Sequence, residues 1–114
     1  MKITNVSRDS TLADKARLAD TFVSRLVGLL NRSGLEQGEA LIISPSNSIH
    51  SFFMRFTFDA LFLDRNKRVM AVAPDFKPFR VSRIYFGAVT TIELPRGTIQ
   101  ASKTQVNDEI VILE

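Results

Sequence analysis

His50 is the only histidine of the chain, and Asp59 follows it inside a stretch that holds five of the nine phenylalanines, from Phe52 to Phe62. An imidazole titrates near neutrality and can act as a general base where a carboxylate orients it. A carboxylate in an apolar run is expensive to bury unless it is hydrogen-bonded or paired. Read as extended chain, Phe56, Phe58, Ala60 and Phe62 line one face, and Thr57, Asp59, Leu61 and Leu63 the other. His50 then shares a face with Ser48, Phe52 and Met54, while Ile49, Ser51, Phe53 and Arg55 point the opposite way. Two readings stand side by side. In one, His50 and Asp59 are core polar groups that brace the backbone, which is the commoner fate of such residues. In the other, Arg25, His50, Met54, Arg55, Asp59 and Glu93 belong to a pocket that binds a small ligand or a protein segment beside the Ser48–Asp64 strands.

An enzymatic alternative uses His50 as general base with Asp59 or Glu93 as its orienting carboxylate, for a hydrolytic or isomerising reaction. It requires those groups within about 3 Å or one water of each other. Ser46, Ser48 and Ser51 flank His50, but adjacency in sequence supplies no oriented base. With no cysteine and one histidine, disulfides, thiol nucleophiles and cysteine-based zinc sites are excluded. No acid stands at ligand spacing from His50, so neither a metal nor a cofactor is expected. Phosphate-loop, dinucleotide-binding and nucleophile-elbow patterns are absent from the sequence.

Between Arg65 and Arg83 lie Arg65, Lys67, Arg68, Lys77, Arg80 and Arg83 against a single acid, Asp75. Such an excess could attract phosphate, an acidic partner or an anionic membrane surface. Lys67, Arg68, Lys77, Arg80 and Arg83 are the candidate anion-binding surface, although solvated ends of strands and loops are the commoner explanation of such runs. Phe79, Arg80, Arg83, Tyr85 and Phe86 mix aromatic and basic residues as single-strand nucleic-acid surfaces do. Alternation along a half-buried strand explains them too, and a nucleic-acid role is the weaker reading.

The elements that must position these residues follow from period and punctuation. From Asp20 or Thr21, apolar residues recur at three- and four-residue spacing through Leu30, which predicts a helix near residues 20–31 closed by Asn31 and Gly34. Thr11–Ala19 fits either helix or a partly exposed strand. Strands are expected at Ile3–Val6, Ala40–Ile43, Ser48–Phe56, Thr57–Asp64, Arg68–Ala73, Ala88–Leu94 and Glu109–Leu113, with a short helix near 97–103. Asn66 would supply the left-handed residue of a turn joining two of them, and Phe76 and Phe79 would tuck into a loop framed by Pro74 and Pro78. The result is a mainly β, small barrel- or sandwich-like domain of six to eight short strands.

The chain has 114 residues, 45% hydrophobic and 24% charged, with a net charge of +3. These values are those of a single globular domain over 1–114 and exclude disorder, collagen and coiled coil. No apolar run is long enough to span a bilayer. Met1–Val6 lacks an apolar leader core, so a cytoplasmic place is the expectation. The oligomeric expectation is a monomer or weak dimer.

Four segments in order, Arg25–Arg32, Ser48–Phe56, Asp59–Asp64 and Glu93–Gly97, carry a resemblance to the bacterial and archaeal family known as domain of unknown function 192. The resemblance extends from about Leu12 to Leu113. It implies a compact, mainly β, barrel-like domain with a helix, and it implies no catalytic role. Arg25, His50, Met54, Asp59, Glu93 and Gly97 match recurrent positions of that family. Ser46 stands where members often have a cysteine, Asn31 where glycine is common, Thr57 where proline is common, and Asn107-Asp108 where Gly-Asp is common. The cysteine difference removes any thiol-dependent role.

Overall fold

A computed structural model of the chain describes residues 1–19, 34–52 and 54–114. The expected helix near 20–31 lies outside the described residues. Among the described residues, eight strands form two sheets: β1 (Lys2–Asn5), β2 (Ser10–Ala13), β3 (Lys15–Ala19), β4 (Glu39–Ile43), β5 (Phe58–Asp64), β6 (Val69–Phe76), β7 (Ala88–Pro95) and β8 (Ile110–Leu113), with a short helix α1 (Thr98–Ser102). The first sheet has the order β2-β1-β8 and the second β3-β4-β7-β5-β6. Neither closes into a barrel, and the arrangement is a sandwich of two open sheets.

The central strands of the larger sheet read as continuous apolar runs because both of their faces are covered. Leu61, Leu63, Ile92, Leu94 and Ile42 point toward the small sheet and pack with Ile3, Leu12, Ile99 and Ile110. Their alternates, Leu41, Ile43, Phe58, Ala60 and Phe62, form the second face with Ala19, Ala88, Ile49 and Met54. This split matches the alternation expected for the phenylalanine run, and it places Asp59 on the inter-sheet side and Phe58 on the outer one.

Several elements depart from the sequence expectation. Thr11–Ala19 resolves into two strands, β2 and β3, separated at Asp14. The described residues of Ser48–Phe56 form no strand: a bridge joins His50 to Val81, and Ile49 and Met54 pack on the second face as a cover. β6 runs on to Phe76 through Pro74, which an edge strand tolerates because its outward N–H has no ladder partner to lose. Phe79 is exposed, not tucked in. At the β5–β6 turn the Asp64 Oδ1 accepts from the Asn66 (2.8 Å) and Arg68 (3.0 Å) amides, so the left-handed residue is Lys67 (φ 60°) and not Asn66. The short helix near 97–103 forms as α1.

Polar groups under β1 fasten the small sheet to the 104–108 turn. Asn5, fully buried, donates from Nδ2 to Thr104 Oγ1 (3.0 Å) and Asp108 Oδ2 (2.9 Å). Asp108 Oδ2 also accepts from Arg8 Nε (3.1 Å) and the Gln105 amide (3.0 Å). Burial pushes the Asp108 carboxyl up, but the Asn5, Arg8 and Gln105 donors outweigh it and hold the group below its ordinary value of 3.8. A depressed carboxyl stabilises the fold above the unfolded value and loses that contribution as pH falls through the folded one. Asp108→Asn is therefore less stable than the parent at neutral pH, and the gap narrows as pH falls below the ordinary value of 3.8. Urea midpoints measured across that range check it, and a constant gap contradicts it.

Candidate functional site

Asp59 is 1% exposed and hydrogen-bonded on both oxygens by main chain. Its Oδ1 accepts from the Asp75 amide (3.0 Å) and its Oδ2 from the Ile99 amide (2.9 Å). Ile99 lies in the first turn of α1, where helical amides have no intrahelical acceptor. The carboxylate thus ties β5 to the end of β6 and to α1, the bracing role of the two read from the sequence.

His50 is exposed, its ring stacked on Phe52 at 5.6 Å between centroids. Its side chain has no hydrogen-bond or ion-pair partner among the described residues. The structure makes no direct hydrogen bond or ion pair between His50 and Asp59 or Glu93, and Asp59 faces the opposite side of the sheet from Glu93. Arg55 is exposed, and Arg25 lies outside the described residues. Ser51 is fully buried as a hub of the 77–80 loop: its hydroxyl donates to the Lys77 carbonyl and accepts from the Arg80 amide (2.9 Å). The basic residues separate into two groups. Lys67 and Arg68 precede β6, with Arg68 near Glu109 (3.5 Å), whereas Lys77, Arg80 and Arg83 follow it at the far end of an eight-residue strand.

Met54 and Glu93 do share a side of the sheet. β7 lies between β4 and β5, so Glu93 stands directly opposite Leu41 on one side and Ala60 on the other. Two residues earlier, Thr91 stands opposite Ile43 and Phe62. Both project onto the face that carries Phe58, Phe62, Leu41 and Met54. Thr91 Oγ1 lies 2.8 Å from Ser46 Oγ, and Ser46 Oγ donates to the Ser48 carbonyl (3.1 Å). With the Ser46 hydrogen used there, the hydrogen shared with Thr91 comes from Thr91.

Glu93 is 4% exposed, and its carboxyl has no hydrogen-bond or ion-pair partner among the described residues. Burial pushes it from 4.5 to about 8, so it is mainly a neutral acid at pH 7. Every fully sealed side-chain nitrogen or oxygen among the described residues has a partner, so what solvent contact Glu93 keeps falls at its carboxyl. A neutral carboxyl offers one O–H donor and one carbonyl acceptor. The sequence marks Glu93 as a candidate but assigns it the charged, orienting role. Ser46 and Thr91 carry no sequence signal beyond being hydroxyls next to apolar residues. A cavity of about 470 Å³ elsewhere on the domain is lined by Thr11, Asp14, Lys15, Gln37, Thr98 and Ser102, with the Ser102 hydroxyl donating to the Thr98 carbonyl (2.7 Å).

Fold and site together define a small two-sheet β domain with a protonated acid in an apolar sheet face. The profile of DUF192, described as uncharacterised ACR, matches residues 3–112, and the chain belongs to that family. It is 34% identical over 113 residues to a UPF0127 protein of Pyrococcus horikoshii, covering 95% of this chain and 96% of that one. A UPF0127 protein of Pyrococcus furiosus is 31% identical over 111 residues, with 93% of each covered. The crystal structure of a protein of unknown function from Novosphingobium aromaticivorans superposes with a TM-score of 0.84 at 19% identity, over 97% of this chain and 82% of that one. That likeness concerns the fold alone. No helix among the described residues is long and apolar enough to cross a membrane.

Proposed function

We propose that this chain is a ligand-binding domain whose site centres on Glu93, with Thr91 and Ser46 on the same side of the five-stranded sheet. The observation that carries the reading is a carboxyl held in an apolar face with no partner among the described residues. A buried polar group without a partner is costly, so such a group is retained either by bracing, as at Asp59, or by meeting a ligand. Perturbed acids of this kind concentrate at functional sites. The surrounding Leu41, Phe58, Phe62 and Met54 favour a compact ligand with an apolar body. The neutral acid favours a carbonyl or carboxylate on that ligand, which would accept its proton in a hydrogen bond.

A thermal-shift screen of small apolar carboxylates and amides at pH 6 tests the reading, on the parent, Glu93→Gln and Glu93→Ala. A ligand at about one hundred times its Kd adds about 2.7 kcal/mol, or roughly 10 °C for a domain of this size. The expected result is a shift for the parent, a reduced one for Glu93→Gln, which keeps a donor, and none for Glu93→Ala. A screen that moves no melting point, or moves the parent and Glu93→Ala equally, overturns it.

A further inference from the structure

Residues 47–51 and 80–85 run side by side, joined by the Ser51 amide to the Arg80 carbonyl (2.8 Å), the Ser82 amide to the Ile49 carbonyl (2.8 Å) and the Tyr85 amide to the Asn47 carbonyl (2.9 Å). One side of this ribbon is anchored: Ile49 and Ser51 are buried, and Tyr85 packs on Phe62 at 4.5 Å between ring centroids. The other side points away from the domain. Val81 is 63%, Ile84 57% and Phe86 84% exposed, with Phe52 and Val89 also exposed beside them. Gly87 (φ 98°) lets the chain turn sharply straight after Phe86. Val81 and Ile84 on this irregular ribbon, with Phe86 and Phe52 just past its ends and Val89 opening β7, are five apolar side chains left in water, more than the isolated exposures that any surface shows.

The charge around them has one sign. Residues 44–58 and 76–92, the two stretches that build the ribbon, contain no aspartate or glutamate and carry Arg55, Lys77, Arg80 and Arg83. Arg55, Lys77 and Arg83 form no ion pair among the described residues, and the one exposed acid close in sequence, Asp75, is bound to Arg96 (2.8 Å). A partner must therefore be anionic and able to accept protruding apolar tips. A single-stranded nucleic acid offers flat bases to stack on, and the aliphatic Val81, Ile84 and Val89 cannot stack. An acidic protein would need pockets shaped to separate protrusions. A bilayer surface needs neither, because acyl chains flow around an inserted side chain while anionic headgroups meet the cations.

We propose that the 47–52/80–89 ribbon docks this domain on anionic lipid surfaces, with Phe86, Ile84 and Val81 entering the headgroup boundary and Arg80, Arg83, Lys77 and Arg55 pairing with lipid phosphates. The docking is independent of the Glu93 niche, since it uses the outward side of the ribbon. Cosedimentation of the whole chain with phosphatidylcholine vesicles, and with vesicles of phosphatidylcholine and phosphatidylglycerol, tests it at low and at moderate salt. The expected result is binding to the mixed vesicles alone, weakened by salt. Phe86→Ser, and separately Arg80→Ser with Arg83→Ser, each lower partition by roughly tenfold or more. All of these residues are exposed, so thermal melts of the variants match the parent. Absence of sedimentation with mixed vesicles at low salt overturns the proposal, as does equal binding to neutral and anionic vesicles. It is also overturned if both variants bind as the parent does, or if the chain ignores vesicles yet retards a single-stranded oligonucleotide.

Discussion

Asp59→Ala lowers the free energy of unfolding by about 2–4 kcal/mol, among the largest effects any single polar substitution has in this domain. The loss has two parts. The Ile99 amide, buried in the first turn of α1, is left without an acceptor, and the Asp75 amide exchanges its bond for one to water. Both bonds are to a carboxylate and so stronger than neutral ones. The damage is local as well as global: α1 has only five residues and no side-chain cap of its own, so Asp59 supplies what a capping residue would. Amide hydrogen exchange at Ile99 accelerates more than exchange at Leu61 or Ile92. Asp59→Asn keeps one accepting oxygen and falls between the parent and the alanine variant. Urea unfolding measures the change, and a variant within about 0.5 kcal/mol of the parent would remove the bracing role.

Glu93→Gln produces the second large effect, visible only when pH is varied. The folded carboxyl holds its proton to about pH 8, while in the unfolded chain it loses it near 4.5. Across that window the native state binds more protons than the unfolded one, so stability falls as pH rises, by at most about 1.4 kcal/mol per unit. The contribution is greatest below 4.5 and fully lost above about 8. Glutamine has nearly the same shape and cannot ionise, so its profile lacks this descent. At about pH 8 Glu93→Gln is more stable than the parent by on the order of 2–4 kcal/mol, and near pH 4.5 the two converge. Urea midpoints at several pH values give the difference curve. Parallel profiles would show that the carboxyl is not held neutral.

Much of this architecture is legible in the residues, and the reasons differ element by element. β5 declares itself because, Asp59 apart, both of its faces are apolar from Phe58 to Leu63, which only a strand covered on two sides requires. The short helix after Gly97 and the β5–β6 hairpin follow from local turn chemistry. Ser48–Phe56 misleads because period-two alternation is shared by true strands and by covering segments, and its hydrogen bonds go to an irregular loop more than twenty residues away. The alternation at Phe79–Phe86 misleads in the opposite sense: it suggests a half-buried strand where the ribbon in fact exposes its apolar tips.

The candidate site divides in the same way. That Asp59 needs partners follows from its apolar neighbours, but those partners are amides at positions 75 and 99, which no spacing reveals. Glu93 is selectable by type, while its protonation state depends on the strands on either side of it. His50 draws attention through chemistry alone, and its exposure is a property of the assembled fold.

The protonation of Glu93 is the point on which the ligand niche rests. Carbon-13 labelling of the glutamate carboxyls and NMR titration of their shifts reports it directly, with Glu93→Gln assigning the resonance. The expected result is a signal that stays in the neutral-acid position through pH 6.5 and titrates near 8. A midpoint near 4.5, with the other glutamates, would show an ordinary solvated carboxylate and contradict it.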